Sequence, residues 1–232
     1  MMRTKSKSHE IDMCNGPILG KMLLFAIPLM FSSILQLLFN AADVIVVGRF
    51  AGDNALAAVG STTSLIHMFV NFFMGLSVGA NVLVARFRGA RQDRELKETV
   101  HTTITLSLIS GVILAIIGFF ASPIIFQWME SPPEVLPLAT VYLRVYFLGM
   151  PALLLYNFGA AILRAVGDTR RPLIYLSIAG VLNVSLNLVF VIVFRWSVFG
   201  VALATTISQV ISAALVLWCL TKEQGPVHVE FK

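Results

Sequence analysis

The sequence predicts an all-α integral membrane fold, a bundle of six spanning helices, and three observations predict it. Of 232 residues, 57% are hydrophobic and 12% charged, where a soluble domain carries roughly 25% charged residues. The apolar residues are gathered into six long runs, each suited to a bilayer, where a spanning helix takes about 20 apolar residues. The Lys and Arg residues fall between those runs, where they act as topology signals. Nucleic-acid binding would instead need them clustered on one folded face, so the net charge of +5 does not point to a nucleic-acid partner.

The chain opens on a polar, basic stretch over residues 1–16. It has the look of a signal-peptide n-region, but the run behind it is too long for an h-region and no small-residue cleavage site follows. An uncleaved first helix is therefore expected. The six runs are 20–47, 55–87, 99–120, 137–163, 172–194 and 198–220. At about 1.5 Å per residue each crosses a hydrocarbon core of about 30 Å, the first, second and fourth with length left for tilt. Backbone groups in hydrocarbon must be satisfied within the segment, which makes the runs helices; the strict alternation of barrel strands is absent. The domain reading is a cytoplasmic tail over 1–16, a membrane lobe over 17–221 and the start of a cytoplasmic linker over 222–232.

The connections carry distinct charges. Arg86, Arg88, Arg91, Arg94 and Lys97 lie between the second and third runs, and Arg164, Arg170 and Arg171 between the fourth and fifth. The tails add Arg3, Lys5, Lys7, Lys222 and Lys232. The other side has Arg49, Arg195 and a loop with Glu130 and Glu134 but no Lys or Arg. The positive-inside rule thus places both termini in the cytoplasm. Cys14 and Cys219 stand at opposite ends with no metal-binding spacing and read as isolated thiols.

Ionisable and strongly polar groups inside spanning helices are costly and mark functional sites. Gln36, Asn40 and Asp43 follow i, i+4, i+7 spacing, a polar stripe on one face of the first helix with a carboxyl near its outer end. Such a stripe faces a bundle interior or a water-filled cavity; otherwise Asp43 caps a loop at the headgroup boundary. Asn183 and Asn187 share a face of the fifth helix at a depth near that of Asp43; they line the same cavity, or they only glue helices together. Ser64, His67 and Asn71 share a face of the second helix. His67 can relay protons or donate to a carbonyl as a neutral ring. Asn157 joins the cavity candidates from the fourth helix. Arg144, in that helix, snorkels outward along its stem or pairs with a carboxylate.

Pro28 interrupts the first helix and Pro151 the fourth, each removing a backbone hydrogen bond and permitting a bend. Pro28 precedes Gln36 by two turns, so a hinge there would swing the face that bears Asp43. Gly75, Gly79 and Ala80, Gly111 and Gly118, and Gly159 and Ala160 are small residues suited to close helix approach. No GxxxxGK[ST] loop, GxSxG elbow, HExxH pair or His/Cys cluster occurs, so neither an ATP-driven pump nor an enzyme is indicated.

These residues carry a resemblance. Pro28, Gln36 and DVIVVGRFAGDNALAAVG (residues 43–60) resemble the first helix and loop of the multidrug and toxic compound extrusion (MATE) transporters. GLSVGANVLVARFRGAR (75–91), ILRAVGDTRRPL (162–173) and NVSLNLVFVI (183–192) are similar to later family motifs, in order. The resemblance covers the chain from about residue 16 to residue 220 and implies the N-terminal lobe of a two-lobe antiporter.

Family resemblance also implies export of organic cations or other amphipathic compounds in exchange for H⁺ or Na⁺, with no further cofactor. It gives Asp43 a part in cation coupling, with Na⁺ as one ion it would hold, and Gln36 and Asn183 places on the cavity wall. Asn187 stands where many relatives carry an aspartate, which leaves Asp43 as the helix-embedded carboxyl. The expected partners are a small amphipathic or cationic substrate, the lipid of the cell membrane, and a C-terminal lobe or a second copy. The chain is expected to be part of a longer protein. A lipid-linked sugar flippase of the same superfamily and a non-transporting accessory subunit remain the alternatives.

Overall fold

The structure is a computed structural model that describes residues 18–129, 132–223 and 227–229. The predicted tail over 1–16, with Cys14, lies outside the described residues, as do Glu130 and positions 224–226 and 230–232 of the predicted linker. The elements are α1 (Ile18–Phe50), α2 (Asp53–Gly89), α3 (Asp93–Trp128), α4 (Leu136–Leu148), α5 (Met150–Ala165), α6 (Arg170–Leu188), a π-helical turn (Val189–Val193) and α7 (Ser197–Lys222). Among the described residues, five helices are long and apolar enough to cross a membrane, and α4 with α5, taken together, makes a sixth, broken span.

Local chemistry sets the helix ends. Between α1 and α2, Gly52 adopts φ +88°, a region glycine enters without a Cβ penalty, and Asp53 then opens α2 at the end where the helix dipole favours an acid. Just before α6, Asp168 Oδ1 accepts from the backbone N–H groups of Arg170 and Arg171, both at 3.1 Å. These are two of the donors a helix start leaves without internal partners.

Three of the expected runs change form. The third begins at Asp93 rather than residue 99, because its polar approach is helical as well; Arg94 and Glu98 make an i, i+4 pair at 3.0 Å there. The fourth is two helices bent by 47°, and the bend falls at Gly149, two residues before Pro151. The fifth ends in the π-helical turn instead of continuing as α-helix. Conversely, Pro28 does not interrupt α1, which runs unbroken from Ile18 to Phe50. Ser32 Oγ donates to the Pro28 carbonyl at 2.9 Å.

The glycines divide in the same way. A Cβ on Gly118 would stand 2.2 Å from the Phe147 ring, one on Gly159 2.4 Å from Val216, and one on Gly180 1.8 Å from the Phe39 ring. Those are close helix approaches. Gly75 and Gly79 meet nothing within 4 Å, so the expected close packing at α2 is not made within this lobe.

Two buried cores sit at opposite ends of the bundle. One joins Val47 of α1, Ala58 and Val59 of α2, Phe126 of α3, Leu143 and Phe147 of α4, and Val198 and Val201 of α7. The other joins Val84 of α2, Leu96 and Val100 of α3, Ile162 of α5 and Val216 of α7, and it takes in Val227 and Val229 from beyond α7. The start of the predicted linker is thus packed on the lobe; Val229 N–H donates to Leu220 O at 3.2 Å. Helix α1 is the least covered element, and Leu23, Met30, Phe31, Leu37 and Leu38 are exposed along it. These side chains suit lipid or another protein surface.

Candidate functional site

Between the two cores lies a cavity of about 480 Å³. Helix α1 lines it with Ser33, Gln36, Asn40 and Asp43, and α2 with Thr63, His67 and Asn71. The broken span contributes Tyr142 and Tyr146 from α4 and Tyr156 and Asn157 from α5, while α6 gives Asn183 and α7 gives Thr205, Ser208 and Gln209. Helical periodicity explains the composition: Gln36, Asn40 and Asp43 recur at the spacing that holds one face of a helix. On α2 the polar part of the wall is Thr63, His67 and Asn71, beside the apolar Val59, Ile66, Val70 and Met74; the neighbouring Ser64 is off the wall and exposed.

Among the described residues, Asp43 is the one acidic side chain on the wall. Asn187 Nδ2 donates to its Oδ1, and Thr205 Oγ1 lies 3.5 Å from its Oδ2. Asn187 Nδ2 is also 3.3 Å from Asn183 Oδ1, and Asn183 Nδ2 donates to Thr205 Oγ1 at 3.2 Å. One network therefore ties α1 to α6 and α7 through a single carboxyl group. Asn187, expected on the cavity wall, is instead fully buried and stands behind Asp43. Its Oδ1 has no hydrogen-bond partner among the described residues. The remaining amides keep to the wall, and Asn157 Nδ2 donates to Leu153 O of its own helix at 3.0 Å.

Arg144 is turned away from this network. Its Nε donates to Phe119 O on α3 at 3.2 Å, and its guanidinium sits 5.1 Å from the centre of the Phe119 ring. Among the described residues, no Lys or Arg lines the cavity. Thr205, Tyr142, Tyr146 and Gln209 were not marked by the sequence. Thr205 also lies 3.0 Å from Val201 O, the ordinary contact of a threonine in an apolar helix, so its tertiary partner leaves no trace in spacing.

The family model for MatE matches residues 28–189, most of the chain and all of the α1–α6 wall. The chain belongs to the MatE family. Among MATE relatives, the probable multidrug resistance protein YoeA of Bacillus subtilis is 31% identical over 213 residues, 90% of this chain and 46% of that protein. A solved structure of a MATE protein in a bent conformation superposes with a TM-score of 0.82 at 31% identity, over 87% of this chain and 45% of the other. The outward-facing conformation of a multidrug resistance MATE family transporter superposes with a TM-score of 0.85 at 30% identity, over 90% and 47%. The chain spans about half the length of the MATE relatives it matches and has the fold of their N-terminal lobe. It is a multi-pass protein of the cell membrane.

Proposed function

We propose that this lobe is the cation-coupled half of a secondary antiporter that exports cationic or other amphipathic small molecules in exchange for H⁺ or Na⁺. The supporting observation is the setting of Asp43, one carboxyl group that both opens on the cavity and anchors the network behind it. Its single negative charge is shared among three candidates: a proton, a sodium ion and the positive centre of a substrate. The oxygens of Asp43, Thr205 and Asn183 are hard donors, the type a small cation accepts. Asn187 adds hydrogen bonding without a second charge, so one monovalent cation neutralises the site.

Exchange follows from that arithmetic. A cation taken up by Asp43 removes the attraction for a positive substrate and favours its release. Loss of the cation on the other side restores the attraction. Hydrogen bonds to a charged group contribute about 1.5–3 kcal/mol, and neutralising Asp43 weakens its bonds to Asn187 and Thr205. A difference of that size biases a two-state element by about tenfold or more. The element is α1, which is least packed and has Pro28 two turns before the polar face, the place of the proposed hinge. The apolar wall suits an amphipathic occupant, and the absence of Lys and Arg from it counts against an anionic sugar-lipid. Lipid covers the outer faces, and a C-terminal lobe or a second copy completes the cleft.

The test compares cells making the protein with and without Asp43→Asn. Ethidium efflux under imposed H⁺ and Na⁺ gradients should fall about tenfold or more in the variant, with the protein inserted at its normal level. Undiminished efflux by Asp43→Asn would overturn the coupling role. Absence of ion-dependent efflux from the unmodified protein, even with a C-terminal lobe supplied, would make it an accessory subunit instead.

A further inference from the structure

The transport scheme above leaves the broken span unused, although the break is built from both sides. Pro151 has no N–H, so Phe147 O loses its helical partner four residues on. Gly149 N–H turns to Tyr146 O at 2.9 Å, and this shorter step strips Val145 O of its partner as well. Thr206 Oγ1, reaching across from α7, donates to Val145 O at 3.1 Å. The regular pattern resumes with Leu153 N–H on Gly149 O at 3.0 Å.

Space at the break is equally specific. A Cβ on Gly149 would lie 2.6 Å from Gln209 Oε1 and 3.1 Å from Thr206 Oγ1. On the α3 side, a Cβ on Gly111 would lie 2.5 Å from Pro151 Cα. Only glycine fits against the Pro151 backbone at position 111, whereas a methyl at position 149 would push against the end of the Gln209 side chain. Gln209 Oε1 is buried without a hydrogen-bond partner among the described residues, as is Thr140 Oγ1 on α4. A buried unpaired polar atom costs about 1–3 kcal/mol. At the observed angle hydrogen bonding is thus left unmade on both α4 and α7 among the described residues.

The break divides the cavity wall. Tyr142 and Tyr146 stand on one side of Gly149, and Tyr156 and Asn157 on the other. We propose that Gly149 is a second hinge of this lobe, across the cavity from α1, and that Gln209 is the positioning residue that holds it at its present angle. Rotation there moves the two tyrosines of α4 against the fixed half of the wall on α5. Discontinuous spans line the central binding sites of other transporters.

The test uses the full-length protein in membranes, with spin labels at Val141 of α4 and Val210 of α7, both exposed; Ile178 of α6 with Val210 serves as the control pair. Adding tetraphenylphosphonium or Na⁺ should shift the Val141–Val210 distance by at least about 3 Å and leave the control pair in place. Gly149→Ala should abolish the shift and lower the maximal efflux rate about tenfold, with apparent substrate affinity changed less than about threefold. Adding Gln209→Ala to Gly149→Ala removes the clash and should restore the shift and bring the rate to that of Gln209→Ala alone. The hinge is overturned by an unmoved distance in the unmodified protein, by a normal shift in Gly149→Ala, or by a folded double variant that stays blocked. The distance does not depend on efflux. A ligand-driven shift without efflux keeps the hinge and rejects the transport reading, which the rate readout rests on; efflux without the shift does the reverse.

Discussion

Asp43 carries the account because it does two incompatible things at once, facing the cavity and holding Asn187 and Thr205. Spacing alone puts it on a face with Gln36 and Asn40. Spacing does not tell a wall residue from one behind the wall, which is why Asn187 looked equivalent to Asn183 and is not. At this scale the sharpest prediction is Asn187→Leu. It removes the amide donor from Asp43 Oδ1 and leaves Asn183 Oδ1 short of a partner. We expect a loss of about 1–3 kcal/mol of stability, read as a lower Tm of the purified protein, together with weakened ion dependence of substrate binding. Thr205→Val keeps the shape and removes one hydroxyl, so the same measurements should move less.

Helices were the most legible level of the sequence, since runs of apolar residues in a bilayer leave few other structures open. What the runs concealed was where each one bends. Proline acts on the turn before itself, so Pro151 produces its break at Gly149, while Pro28 is carried within a continuous α1. Nothing in VFVIV marks a π-helical turn. Glycine composition was equally silent about neighbours, and a paired test follows. Gly118→Ala pushes a methyl into the Phe147 ring and should cost about 1–3 kcal/mol. Gly79→Ala enters open space on α2 and should be neutral or stabilising by up to about 1 kcal/mol. Thermal unfolding of the two variants side by side checks this, and equal destabilisation would contradict the packing described for α3 and α4.

The lobe is two apolar plugs with a chamber between them, walled by apolar and polar side chains together. One plug lies at the end that carries Arg49, and the other at the end with the arginine-rich loops, where Val227 and Val229 join it. Loop charges disclosed that polarity in the sequence, whereas the docking of residues beyond α7 depends on a surface formed by α2, α3, α5 and α7 together. The proposed coupling links opening of the chamber to the charge state of Asp43, and this link can be measured without any gradient. Purified protein is loaded with a fluorescent lipophilic cation and titrated with acid, and separately with Na⁺. At least one of the two ions should displace the cation from the unmodified protein and fail to displace it from Asp43→Asn. Displacement of equal extent and midpoint from both proteins would contradict the coupling.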